Sequence, residues 1–324
     1  MESLEVKKNE EGILPQIAAK GAKHQILIDL AKELPPIPTA VVHPVDRYSI
    51  LGAVDAHKAN LIVPIFVGPE DKIRKVAEEE QIDISSFMVV GTKHSHEAAE
   101  KSVAMVREGQ AEALMKGSLH TDELMSAVVR KDLGIPTERR MSHISAMDVP
   151  QLSQVLFVTD AAINIYPDLL VKQDITQNAI DLAHSLGIAK PKVAILSAVE
   201  TITPKIPSTL EAASLCKMAD RGQITGAIVD GPLAFDNAIS EEAARIKGIR
   251  SEVSGHADIF VVPDLEAGNM LVKQLTYMAE AQLAGIVLGA RVPIILNSRS
   301  DNNLARKASC ALAELYVFYQ KNSL

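Results

Sequence analysis

Residues 168–197 read DLLVKQDITQNAIDLAHSLGIAKPKVAILS, a helix followed by a buried strand. Ile175, Ala179, Leu182, Ala183 and Leu186 fall three and four apart, which places them on one helical face. Asp168 suits the helix N-terminus, and Gly187 stands where a C-cap glycine stands. The strand Val193–Ser197 is continuously apolar rather than alternating, as expected of a strand covered on both faces. The same alternation of short β-rich runs and longer amphipathic stretches extends over the rest of the chain. The other expected strands are Thr39–His43, Leu61–Val67, Phe87–Gly91, Ala113–Lys116, His143–Met147, Val155–Thr159, Ala227–Asp230, Ile259–Val262, Gly285–Leu288 and Pro293–Asn297. A last helix is expected over Asp301–Gln320, with Leu304, Ala308, Ala311, Leu312, Leu315 and Phe318 as its stripe. This order implies a mostly parallel sheet with right-handed crossovers and helices on both faces.

Eleven strands are many for one open sheet, so two α/β domains are the more economical expectation. The length of 324 residues also suits two domains. No Gly/Ser- or Pro-rich linker divides the chain, so it is expected to pass directly between domains, first within Pro136–Pro150.

Composition removes several classes. Lys plus Arg is 33 and Asp plus Glu is 41, a net charge of −8, which argues against a nucleic-acid binder with its usual basic surface. Aromatics are only 3% of the chain, too few for base-stacking platforms. The 47% hydrophobic content is too high for disorder. The opening MESLEVKKNEE lacks the order of a signal peptide, and its first 11 residues are expected to fray. Ala281–Leu296 is interrupted by Gln282, Arg291 and Pro293 and reads as two buried strands rather than a membrane span. Cys216 and Cys310 form no disulfide or zinc framework and read as buried core thiols. A soluble cytoplasmic protein is expected.

Phosphate-binding and nucleophile signatures are missing: no G-x-G-x-x-G, Walker loop, G-x-S-x-G or H-E-x-x-H occurs. His94 and His96 are the nearest approach to a metal pair, without further ligands beside them, and no metal site is expected. Polar loops after strands remain, where α/β proteins bind ligands. Lys116-Gly117-Ser118 either meets an anion through an ammonium, backbone N–H groups and a hydroxyl, or is a turn with a serine N-cap. Arg139-Arg140 either clamps a phosphate or is a solvated pair. Asn297-Ser298-Arg299-Ser300-Asp301 brings a guanidinium and a carboxylate to a helix start, with Ser298, Ser300 or Asp301 as N-cap. Asp230-Gly231-Pro232-Leu233 and Pro263–Asn269 are read as turns ending strands.

Four segments carry a resemblance: MKGSLHTDELM (115–125), VDGPLAFDNAIS (229–240), FVVPDLEAGNMLVKQLTYMA (260–279) and GIVLGARVPIILNSRSDNNLARKASCALA (285–313). Together they resemble the phosphate acetyl/butyryltransferase family, from about Ile37 to Tyr319 and most strongly from Asp230 onward. The resemblance implies transfer of a short acyl group between coenzyme A and inorganic phosphate. CoA and acyl-CoA would be substrates, with no tightly bound cofactor. It also implies two three-layer αβα domains with a cleft between them, like isocitrate and isopropylmalate dehydrogenases, in a homodimer. The first domain would be 1–150 plus 295–324 and the second 151–294.

By the same resemblance Arg299 binds phosphate, Ser298 helps hold the transition state, and Asp301 is the nearby carboxylate available as base. Lys116, Gly117 and Ser118 would face them across the cleft. Arg140, Asp264, Gly268 and Asn269 would also contact substrate. Acetyl-specific members carry an arginine where this chain has Tyr277, and an aspartate where it has Ala305. In both respects the chain looks more like the butyryltransferase branch and the related modules fused to hydratases. The alternatives are a metal- and NAD-dependent decarboxylating dehydrogenase of the same fold, with Asp230 and Asp264 as possible ligands, and a degenerate acyl-CoA-binding protein.

Overall fold

The computed structural model describes residues 20–296 and 301–323. The expected N-terminal fraying, and the candidates Asn297, Ser298, Arg299 and Ser300, lie outside the described residues.

Among the described residues there are eleven strands. They are β1 (Ile37–Val42), β2 (Ile62–Gly68), β3 (Met88–Gly91), β4 (Ala113–Lys116), β5 (Ser142–Asp148), β6 (Leu156–Thr159), β7 (Lys192–Leu196), β8 (Ile228–Leu233), β9 (Ile259–Val261), β10 (Gln282–Leu288) and β11 (Ile294–Ile295). The first helices are α1 (Ala22–Ala31), α2 (Arg47–Lys58), α3 (Glu70–Glu79), α4 (Ser95–Arg107) and α5 (Thr121–Val128). They are followed by α6 (Leu169–Ser185), α7 (Pro207–Asp220), α8 (Phe235–Ile239), α9 (Glu241–Ile246), α10 (Leu265–Met278) and α11 (Asn303–Ser323).

Every expected strand is present, but they are not divided between two sheets. All eleven form one sheet in the order β3-β2-β1-β4-β11-β10-β5-β6-β9-β7-β8. Two antiparallel strands make this possible. β10 is antiparallel to β11 and β5, and β5 is antiparallel to β6. All strands from β1 to β5, together with β11, therefore run one way, and β6 to β10 run the other. The chain reverses polarity after β5 and again after β10. The two strands beside these reversals interleave at the centre of the sheet.

The two faces are covered differently. On one face a single core spans the whole sheet, contributed by α1, α2, α3, α6, α7 and α11. Ile144 and Ala146 of β5 and Ala284, Ile286 and Leu288 of β10 point into it. On the other face the apolar residues fall into two separate clusters. One packs α4 and α5 on β1 and β4. The other packs α8 and α10 on β6, β7 and β9. Between them the centre of the sheet is left open. Strand alternation turns His143 and Ser145 of β5, and Leu283 and Gly285 of β10, toward this gap.

Local signals explain the elements flanking it. Asp168 caps α6 by accepting from Val171 N at 2.9 Å, and Gly187 follows with φ 83°. The expected stripe of α6 is buried, from Ile175 to Leu186. α11 differs in its cap. Asn302 Oδ1 accepts from Ala305 N at 2.8 Å, so Asn302 caps this helix rather than Asp301. Phe318, expected in the stripe, is 43% exposed. Asp230–Leu233 is not a turn: β8 runs through it, and Asp230 accepts from its neighbour Gly231 N.

Candidate active site

The gap in the helical layer is a cleft of about 620 Å³. Its floor is the face of β5 and β10 carrying His143, Ser145, Leu283 and Gly285. One wall is Lys116 at the end of β4 with Thr121 of α5. The opposite wall is the turn Ala161–Ala162 after β6, with Asn269, Lys273 and Tyr277 of α10. Leu296, Asp301, Asn302 and Ala305 close it from the segment that leads into α11. The carboxyl ends of β4, β6 and β11 thus meet over the central strands, as the topology of α/β sheets requires of a ligand site.

The Lys116 loop is built by close backbone approach. Gly117 N donates to Val42 O at 3.0 Å and Ser118 N to His43 O at 2.9 Å. A Cβ on Gly117 would meet the His43 carbonyl oxygen at 2.9 Å, so only glycine fits. The Lys116 ammonium donates to Leu119 O at 3.0 Å and lines the cleft. Ser118 is not the N-cap of α5. Its hydroxyl donates to Asp46, which also caps α2, and the residue before α5 is His120, with no side-chain cap.

The two arginines separate. Arg139 pairs with Asp181 of α6 and is structural. Arg140 Nε donates to Asn164 Oδ1 at 3.1 Å, and Arg140 lines a second cavity of about 950 Å³ that shares Thr121 and Ala162 with the cleft. Asp264 caps α10 by accepting from Ala267 N at 2.8 Å, and Gly268 seats that helix against the turn after β6, where a Cβ would meet Asp160 O at 3.0 Å. Asn269 reaches the cleft and donates to Ala161 O at 3.3 Å. Lys116, Asn269 and Asp301 are therefore brought together. Gly117, Asp264 and Gly268 shape the walls, Ser118 is tied to Asp46, and Arg140 serves the neighbouring cavity.

Sequence reasoning did not single out the floor. His143 and Ser145 are buried polar residues in an otherwise apolar strand, and their i, i+2 spacing was the available signal. Burial pushes the His143 imidazole below its ordinary value, against the opposing pull of Asp160. Asp160 directly follows β6. Its buried carboxylate accepts from Ala162 N at 2.8 Å, Ile163 N at 3.0 Å and Asn164 Nδ2 at 2.7 Å, which fixes the turn forming one wall. Neither cysteine reaches the cleft, and burial pushes both thiols up to about 12. Among the described residues no three His, Cys, Asp or Glu side chains converge as a metal site. His94 accepts from Glu97 N at 3.2 Å and so caps α4.

The model of one family, Phosphate acetyl/butaryl transferase, matches residues 92–312. The chain belongs to this family. A phosphate acetyltransferase of Rhizobium meliloti is 59% identical over 299 residues, covering 92% of this chain and 95% of the relative. A phosphate butyryltransferase of Clostridium acetobutylicum is 42% identical, covering 88% and 94%. The crystal structure of a branched-chain phosphotransacylase from Enterococcus faecalis V583 superposes with a TM-score of 0.76 at 29% identity, over 87% of this chain and 99% of that one. As a phosphate acetyl/butyryl transferase the chain is an acyltransferase, and membership selects that chemistry over the dehydrogenase alternative.

Proposed function

We propose that the cleft is where this acyltransferase exchanges a short acyl group between CoA and phosphate: acyl-CoA plus phosphate gives acyl phosphate plus CoA, reversibly. The observation that carries this reading is the convergence of Lys116, Asn269 and Asp301 over the open centre of the sheet in a chain of this family. Arg299, which in sequence falls between Leu296 and Asp301, is proposed to bind phosphate, as a guanidinium forks onto its oxygens. Ser298 is proposed to stabilise the tetrahedral oxyanion. Removing one such donor costs about 3–4 kcal/mol of activation energy. Asp301 has two roles open to it in this site, proton acceptor or counter-charge to the cations around it. Arg140, in the adjoining cavity, suits the anionic part of a long substrate such as CoA.

The subunit is proposed as two bodies, 1–150 with 295–324 and 151–294, supported by the reversals of strand polarity near those boundaries. A cytoplasmic homodimer is proposed for the assembly. Among the described residues no helix is long and apolar enough to cross a membrane. The acyl range is acetyl to butyryl.

Thiol release from acetyl-, propionyl- and butyryl-CoA with phosphate tests the reaction. Arg299→Ala is expected to lower phosphorolysis at least about 100-fold, consistent with loss of one such donor, with the circular dichroism unchanged. Release by the variant within a few-fold of wild type removes Arg299 from the site. No release by wild type with any acyl-CoA overturns the activity.

A further inference from the structure

We infer that His143, on the floor of the cleft, is the group that takes the proton from the CoA thiol. This rests on the acyltransferase reading above. Ala305, in the first turn of α11, lines the cleft without a titratable group. A free thiol ionises near 8.5, so attack at neutral pH needs an acceptor within reach. His143 is 6% exposed, and that exposed part lies in the cleft.

Its ring is oriented for the task. His143 Nδ1 lies 3.4 Å from Ser145 Oγ. With Nδ1 donating to that hydroxyl, Nε2 carries the lone pair, and Nε2 has no hydrogen-bond partner among the described residues. Gly285 borders it on β10: a Cβ there would stand 2.8 Å from His143 Nε2. Any larger residue would push against the atom that the reaction uses. Burial also lowers the proton affinity of the imidazole, more than Asp160 raises it. Among the described residues, the charged and titratable groups around the cleft are Asp160 beyond β6, Lys116 on β4, Lys273 and Tyr277 on α10 and Asp301 before α11.

In the step, the CoA sulfur forms a bond to the acyl carbon as its proton passes to His143 Nε2. The bond from that carbon to the phosphate oxygen then breaks, and the phosphate leaves with the electron pair. In the reverse direction the imidazolium returns the proton to the departing thiolate. Atoms and charge balance without a further reactant.

The pH dependence of kcat/KM for CoA attack on acyl phosphate tests this. Wild type should lose activity on the acid side, below the ordinary histidine value of about 6.5. His143→Gln should lower kcat by about 10²–10⁴-fold, the usual worth of a general base, and abolish that acid limb. Asp301→Asn should keep the limb. Ser145→Ala should move it to lower pH, since the imidazolium loses an acceptor. A limb that survives in H143Q, or one that vanishes in D301N, overturns the proposal. If H143Q fails to fold, an unmoved limb in S145A overturns it. A wild type inactive on every acyl donor would instead overturn the acyltransferase reading itself.

Discussion

At the scale of single residues, Glu314 is the most exposed to test because it contradicts its surroundings. It sits on α11, fully buried, and neither carboxyl oxygen finds a hydrogen-bond partner among the described residues. Burial pushes its proton affinity up to about 9. In the unfolded chain it ionises in the ordinary carboxylate range. Between that range and about 9 the folded chain holds one proton more, so its contribution to stability falls as pH rises through that window. Glu314→Gln removes the ionisation. The variant is expected to gain at least about 3 °C in melting temperature at pH 8 relative to wild type, from roughly 3 kcal/mol, and little at pH 4.5. Equal shifts at both pH values, read by thermal denaturation, would show that ionisation is not the cause. Such a residue is illegible in sequence. An acidic side chain in an amphipathic helix reads as solvent-facing until the packing shows that α11 is covered on more than one side.

At the scale of elements, the first helix is held by a buried charge pair as well as by its apolar residues Leu27, Ile28 and Ala31. Lys23 and Asp148 are both fully buried, with Lys23 Nζ 2.7 Å from Asp148 Oδ1 and 3.0 Å from Val149 O. The same carboxylate accepts from Lys23 N at 2.9 Å. His24 adds a 3.1 Å bond to Ala146 O, and burial lowers its imidazole to about 4. This ties α1 to β5, the central strand that also carries His143. Lys23→Met leaves Asp148 buried and uncompensated, which is expected to cost about 3–5 kcal/mol in urea denaturation. A double variant, Lys23→Met with Asp148→Leu, should recover most of that loss, because both charges are then gone. A loss no greater than 1 kcal/mol in the single variant would mean that water or rearrangement satisfies the carboxylate. The strands themselves were legible because continuous apolar runs admit few other readings. The caps were less so. Asp168 was readable, but at α11 four polar residues compete, and only the geometry chose Asn302.

At the scale of the whole molecule, one sheet and one continuous core under it make the two proposed bodies interdependent. β10 pairs with β5 over seven positions, from Gln282 with Asp148 to Leu288 with Ser142. β6 also pairs with β5, and α11 covers the same central strands. Residues 151–294 expressed alone would leave β6 and β10 without β5 and expose the face that α11 covers. The fragment is therefore expected not to fold, as read by its amide proton dispersion. A well-dispersed spectrum would show that the second body is autonomous. The full chain should unfold in urea with its two halves coupled.

The sequence by itself determined the strand and helix order, the α/β class and the loops after β4 and before α11, because periodicity and turn chemistry are local. It also carried the family resemblance, since those motifs are contiguous. Only the tertiary structure decided that the eleven strands share one sheet, because pairing between residues such as Ile286 and Ile144 joins segments far apart in the chain. It likewise decided that His143 and Gly285 form a cleft floor: strand alternation aims them at one face, and whether that face is covered depends on where the helices pack.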